Sequence, residues 1–225
     1  MFYEKHCSKL VTDMTQVVVA VGLVTITSNY IRISNSDISL LRNPDFWHRS
    51  VLLGLTILFA AYHLLIYAAD SKTSAKGDTN WGRSSETAIG VIFLFLIDLL
   101  GLAAMGAMFG VLAIGQPSPE ALNEVFSLNW RTLAWLAGLA ATWHVLITIW
   151  HLVAESKLMA WLTHLGFAGA HICLVILALA SDGPNGIGLP MPAWTIGFAL
   201  VIVAIYITRG RRVLQQSIAI ARAAN

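Results

Sequence analysis

The sequence predicts an all-α protein: a polytopic transmembrane helical bundle of five to six spans with its C-terminus in the cytoplasm. Three observations predict it. Of the 225 residues, 57% are hydrophobic and only 12% are charged, where soluble domains run at roughly 25% charged. Five apolar stretches, 51–69, 88–114, 132–154, 158–180 and 191–208, reach the length of about 20 residues that a helix needs to cross a bilayer. Basic residues gather in alternate loops, as the positive-inside rule requires.

A sixth candidate span, 14–31, comes first. Its "VVVAVGLV" is apolar, but Thr25, Thr27, Ser28 and Asn29 follow at once. Its β-branched residues would suit a strand in water, yet a lone strand in lipid leaves its backbone unsatisfied, so a helix is expected. Six spans are therefore favoured over five. In 51–69, Thr56, Ala60, His63, Tyr67 and Asp70 recur at steps of four and three, which places them on one face. Span 88–114 carries Asp98 near its middle, then Gly101 and Gly106-x-x-x-Gly110. In the following loop, "PSPEALNEVF" offers Ser118 as N-cap and Pro119 at the first helical position, predicting a short surface helix. Spans 132–154 and 158–180 are separated only by a polar turn at Glu155–Lys157, which predicts a tight antiparallel hairpin. "DGPNGIGLPMP" is a turn-rich loop before the last span, and the basic tail 209–225 continues from that span.

The loop 70–86 holds Lys72, Lys76 and Arg83, the hairpin turn holds Lys157, and the tail holds Arg209, Arg211, Arg212 and Arg222. The loop 181–190 has no Lys or Arg. This asymmetry assigns the tail, the turn and 70–86 to the cytoplasm. Arg32, Arg42 and Arg49 conflict with it, because they fall on the outer side. Trp47, Trp81, Trp130, Trp161 and Trp194 lie near span ends, as an aromatic belt would. The arginines Arg209, Arg211 and Arg212 are expected to snorkel towards anionic headgroups. The composition points to the inner (plasma) membrane of a bacterium, with the lipid bilayer as the first partner.

Several classes of function are excluded or disfavoured. A net charge of +2, with no basic patch laced with aromatics, gives nucleic acid nothing to bind. Cys7 and Cys173 are too far apart in sequence to read as a disulfide framework or a redox pair. The N-terminus has too short an apolar run for a cleaved signal peptide. No GxGxxG, Walker loop, GxSxG or HExxH occurs, so a soluble-type catalytic site is not expected.

The candidate site is a set of histidines. In "WHVLITIWHLVAESKLMAWLTHLGFAGAH", residues 143–171, His144 and His151 are seven apart, as are His164 and His171. That spacing puts each pair on one helix face. Positions equidistant from the turn lie at similar depth, so His151 is expected to face His164, with His144 facing His171 about 10 Å deeper at the helix rise. Ala137, Ala141, Thr148 and Glu155 extend the stripe on span 132–154. Asp98 stands apart, because an acid at the bilayer centre costs roughly 2.5–3.5 kcal/mol and such residues mark ion paths and relays. It is expected to face other helices within reach of His144 or His63. Four of the histidines follow an aromatic residue, a pattern attributed to a Trp-rich chain.

The stripe leaves several chemistries open. Imidazoles titrate near neutral pH, so His63, His144, His151, His164 and His171 with Asp98 suit a proton or cation path, in an oligomeric channel or transport component. A non-catalytic sensor or scaffold subunit, bound to a cytoplasmic or membrane partner protein, is the second reading. A b-type haem is the third, held by His63 with His144 or His164. No cofactor is expected on the first two. A metal site across helices from His63, His151 and His164 is the fourth. Hydrogen-bonding side chains also serve plain helix packing in membranes. Gly106-x-x-x-Gly110 with Ala103 and Ala107 gives a flat face that suits a homo-oligomer.

Overall fold

Lipid offers backbone groups no hydrogen bonds, so each apolar stretch closes its own as a helix. The computed structural model describes residues 7–36, 42–74, 87–113, 128–153 and 158–211, with the single positions 215 and 218. Six α-helices succeed one another along the chain: α1 Ser8–Ser36, α2 Pro44–Ser74, α3 Ala88–Leu112, α4 Trp130–Val153, α5 Leu158–Ser181 and α6 Met191–Ile205. A π-helical turn, Tyr206–Gly210, extends α6. Among the described residues there is no strand, and all six helices are long and apolar enough to cross a membrane. The protein is an integral membrane protein in that sense. The sixth candidate span is thus a helix, and a longer one than 14–31.

Local signals explain the helix limits. In α1 the hydroxyls that weakened the sequence signal turn back on their own helix: Thr15 donates to the Val11 carbonyl, Thr25 to Val21 and Thr27 to Leu23. Satisfied this way, they cost the helix little. α2 begins well before residue 51, because Asn43 caps it by accepting from the Asp45 amide at 2.9 Å, with Pro44 at the first helical position. Thr87 caps α3 and Asn129 caps α4 in the same manner. Gly183, at φ +93°, makes the sharp turn after α5 that a side chain would strain. The expected surface helix after Ser118, the Glu155–Lys157 turn and most of the basic tail lie outside the described residues.

α4 is the axis of the bundle. It packs most extensively against α5 and next against α3, while α1 lies across α2 and α3, and α6 lies against α5 and α2. α4 and α5 are separate antiparallel neighbours, as the hairpin required. Their far ends are tied by an ion pair from Arg131 Nε to Asp182 at 3.0 Å, too exposed to contribute more than about 1 kcal/mol. We call that end the acidic end. The opposite end, where α4 stops, α5 starts and the arginines of 209–211 lie, is the basic end.

Three contacts set the register of α2, α3, α5 and α6. The Trp194 indole donates to the Leu174 carbonyl at 2.8 Å, and His48 bonds the Thr195 hydroxyl. Arg49 donates to the Leu112 carbonyl at 3.2 Å. That last bond accounts for one of the three conflicting arginines: Arg49 is buried and caps the last turn of α3, where a cation complements the helix dipole. Trp194 corrects an expectation, because it is 1% exposed and sits inside the bundle, not in an aromatic belt.

α1 docks through close approach. A Cβ built on Gly22 would stand 2.5 Å from the Phe109 ring of α3, and that ring is itself buried. Gly22→Leu is therefore expected to push α1 off α3 and lower stability by about 1–3 kcal/mol, the usual cost of overpacking. Thermal unfolding in mild detergent measures it, and an unchanged midpoint would contradict this packing.

Candidate functional site

Four histidines of the α4–α5 hairpin are buried at 7% exposure or less. At the helix rise, His151, His164, His144 and His171 lie about 3, 9, 14 and 20 Å from the basic ends of their helices. They alternate between α4 and α5, so the rings form a zigzag. Ring centroids are 5.3 Å apart for His151–His164, 5.4 Å for His164–His144 and 5.2 Å for His144–His171. Two separate levels were expected. The added rung between His144 and His164 arises because the two helices are offset, which joins both levels into one row.

The rungs differ in hydrogen bonding. His144 and His164 meet Nδ1 to Nδ1 at 3.2 Å. His171 Nδ1 donates to the Phe167 carbonyl at 2.8 Å. The Nε2 atoms of His144, His164 and His171 are buried with no partner. An unmatched polar atom in such a place costs about 1–3 kcal/mol, so three of them on one row are an expensive feature for packing alone. Aromatic rings wall the row. Phe59 of α2 stands edge-on to His144 and His171 at 5.6 and 6.0 Å, and Phe198 of α6 stands edge-on to His171 at 5.7 Å.

His63 enters from α2. It is 2% exposed and its ring lies 4.6 Å from that of Trp143. It is within electrostatic reach of His144 and His164. All five candidate histidines are therefore brought to one region, at the core of the bundle. Thr56, Ala60, Ala137, Ala141 and Thr148 lie on the buried faces, as their stripes required; the side chains of Tyr67 and Asp70 lie outside the described ones.

Asp98 is placed on the other side of α4. It is 1% exposed, facing helices as expected. Its carboxyl interacts with the Trp150 indole of α4, a group that the sequence reading passed over in favour of His144 and His63. The reason is the position of α4. A helix surrounded by neighbours buries adjacent residues 100° apart, so Trp143 and Trp150 face inward beside His144 and His151. Both indoles are structural to the site: Trp143 also packs against His164, at 5.8 Å, and over Gly101 of α3. The Trp–His pairs set aside as chance were the signal that α4 is central.

Arg209, expected to snorkel towards the headgroups, is partly buried in the π-helical turn and within electrostatic reach of His151, His164 and His144. Tyr206, in the same turn, donates to the Leu58 carbonyl of α2, which ties the turn to the bundle. A wide helical turn shifts the residues after it around the helix, and no residue pattern announces that shift. Arg211 is exposed, and Arg212 lies outside the described residues.

This geometry bears on the alternatives. Among the described residues, no group of three or more His, Cys, Asp or Glu converges as metal ligands would.

Asp98→Asn is expected to keep the fold, because the amide keeps a polar group beside the Trp150 indole. Asp98→Leu loses that polar contact and should lower stability by about 0.6 kcal/mol, the average for polar contacts between membrane helices, and by no more than about 1.7 kcal/mol. Unfolding of both variants in detergent checks the order, and equal stability would remove Trp150 as the partner that matters. No family model, curated protein or solved structure matches the chain.

Proposed function

We propose that the protein is a membrane transport component that passes protons along the row His151–His164–His144–His171. The observation that carries this reading is the near-uniform spacing of four buried imidazoles, 5.2–5.4 Å between successive centroids. An imidazole takes a proton on one nitrogen and releases one from the other, so a row of them in contact moves charge without moving an ion. The unpartnered Nε2 atoms supply free positions for that exchange. Arg209 favours protons over metal cations. Its fixed charge repels a cation near the basic end, whereas a proton gains a covalent N–H bond at His151 or His164. On the positive-inside assignment the row opens towards the cytoplasm and ends at His171, against Phe59 and Phe198.

Self-association belongs to the same reading. Ala103, Ala107 and Gly110 are exposed along α3, and nothing lies within 4 Å of a Cβ built on Gly106 or Gly110. The flat face is left for a second copy, each copy keeping its own row.

The test is proton flux into liposomes of purified protein, read with an enclosed pH dye under a potassium-driven potential. Wild type should acidify the lumen and His144→Phe should reduce the rate to that of empty vesicles, since phenyl keeps the packing and lacks both nitrogens. Wild-type protein with no flux would favour the sensor or scaffold reading, and a Soret band in the purified protein would favour the haem. Mass photometry in mild detergent is expected to return an oligomer that Gly106→Leu weakens; a monomer in wild type would count against the α3 interface.

A further inference from the structure

The hydrogen bonds of the row fix where its protons sit. A carbonyl oxygen only accepts, so His171 Nδ1 is the donor in the bond to Phe167. A neutral imidazole has a single N–H, which leaves His171 Nε2 a bare lone pair, buried without a partner. The two Nδ1 atoms of His144 and His164, 3.2 Å apart, must share one proton, since two lone pairs or two N–H groups would repel. One ring then has a bare Nε2 and the other carries its proton on Nε2. We propose that this pair is a one-proton switch, and that His171 Nε2 is the acceptor at its deep end. The proposal deepens the relay reading above and rests on it.

In the loaded state His164 is protonated at Nδ1 and His144 at Nε2. A proton from the basic end bonds to the bare His164 Nε2. The Nδ1–H bond of His164 breaks as that proton bonds to His144 Nδ1. The Nε2–H bond of His144 breaks and its proton bonds to His171 Nε2 through one water, which takes that proton and gives up one of its own. His164 and His144 finish neutral with their tautomers exchanged, and His171 finishes as the imidazolium. One proton has entered and one positive charge has reached His171, so the step balances. A second proton then meets a filled His164 Nε2, so the pair is blocked until its first tautomers are restored. The rings of Trp143, Phe59 and Phe167 enclose His144 at centroid distances of 4.8, 5.6 and 5.6 Å. The protein passes one proton per reset instead of a continuous current.

Nitrogen-15 solid-state NMR of the full-length, histidine-labelled protein in lipid bilayers tests the assignment. Thr163–His164 and Ala170–His171 are the single Thr–His and Ala–His pairs in the sequence, so pairwise labelling identifies both rings without mutation. His144 is found by its coupling to His164 across the shared proton. The expected result is Nδ1–H with bare Nε2 at His171, and opposite tautomers at His144 and His164. Nε2–H at His171, or one common tautomer in the pair, overturns the proposal. In liposomes, His171→Gln should abolish proton flux while the shared-proton signal of the pair persists. Undiminished flux, or loss of that signal together with flux, overturns His171 as the acceptor. Because the NMR reads protonation and not transport, a wild type without flux removes the relay reading while the tautomers stand or fall separately.

Discussion

The structure depends on one constraint: a polar group within the bilayer has to find its partner inside the protein. α4 carries His144, Thr148, His151 and two inward indoles on more than one face, so no single neighbour can cover it. α5 takes the imidazole face, α3 takes Trp150 with Asp98, and α2 brings His63 against Trp143. The remaining helices close over these layers. The buried polar groups are thus enclosed by a largely apolar core of Leu, Phe, Met and Ala.

That order gives the row of histidines its character. Its walls are Phe59, Phe167 and Phe198, rings that offer no hydrogen bonds, so the imidazoles bond to one another or to a carbonyl, or to nothing. An unpartnered nitrogen in lipid is costly, and it is also the position at which a proton can be added. Stability and proposed function pull in opposite directions at these atoms, and the rigid α4–α5 pair absorbs the conflict. Arg209 adds a fixed charge at the basic end without entering the row, because Tyr206 anchors its turn to α2.

Most lipid-facing positions are plain Leu, Ile, Val and Phe, as on α3 at Ile89, Ile92, Phe93, Leu96 and Leu100. Further along the same face the chain changes to Ala103, Ala107 and Gly110. Small residues on an outer face give up dispersion contact with lipid tails, and close approach of another helix is what restores it. The division of α3 into a large-residue half and a small-residue half thus separates lipid contact from helix contact.

The sequence by itself determined the class, five of the helices with a sixth favoured, and the shared helix face of each histidine pair in the hairpin. Length, apolarity and the cost of exposed backbone in lipid leave no other solution, and i, i+7 spacing places two imidazoles on one face in any α-helix. It also marked Asp98 as inward-facing through insertion cost alone. Tertiary structure decided which polar groups meet. The offset between α4 and α5 turned two levels of histidines into one row, because a shift along neighbouring helices is set by packing and not by residue spacing. Asp98 met Trp150, since α4 is buried on both sides and only the bundle shows which helix is central. Arg209 lies within a π-helical turn and within electrostatic reach of the histidines, a placement that the residue pattern does not announce.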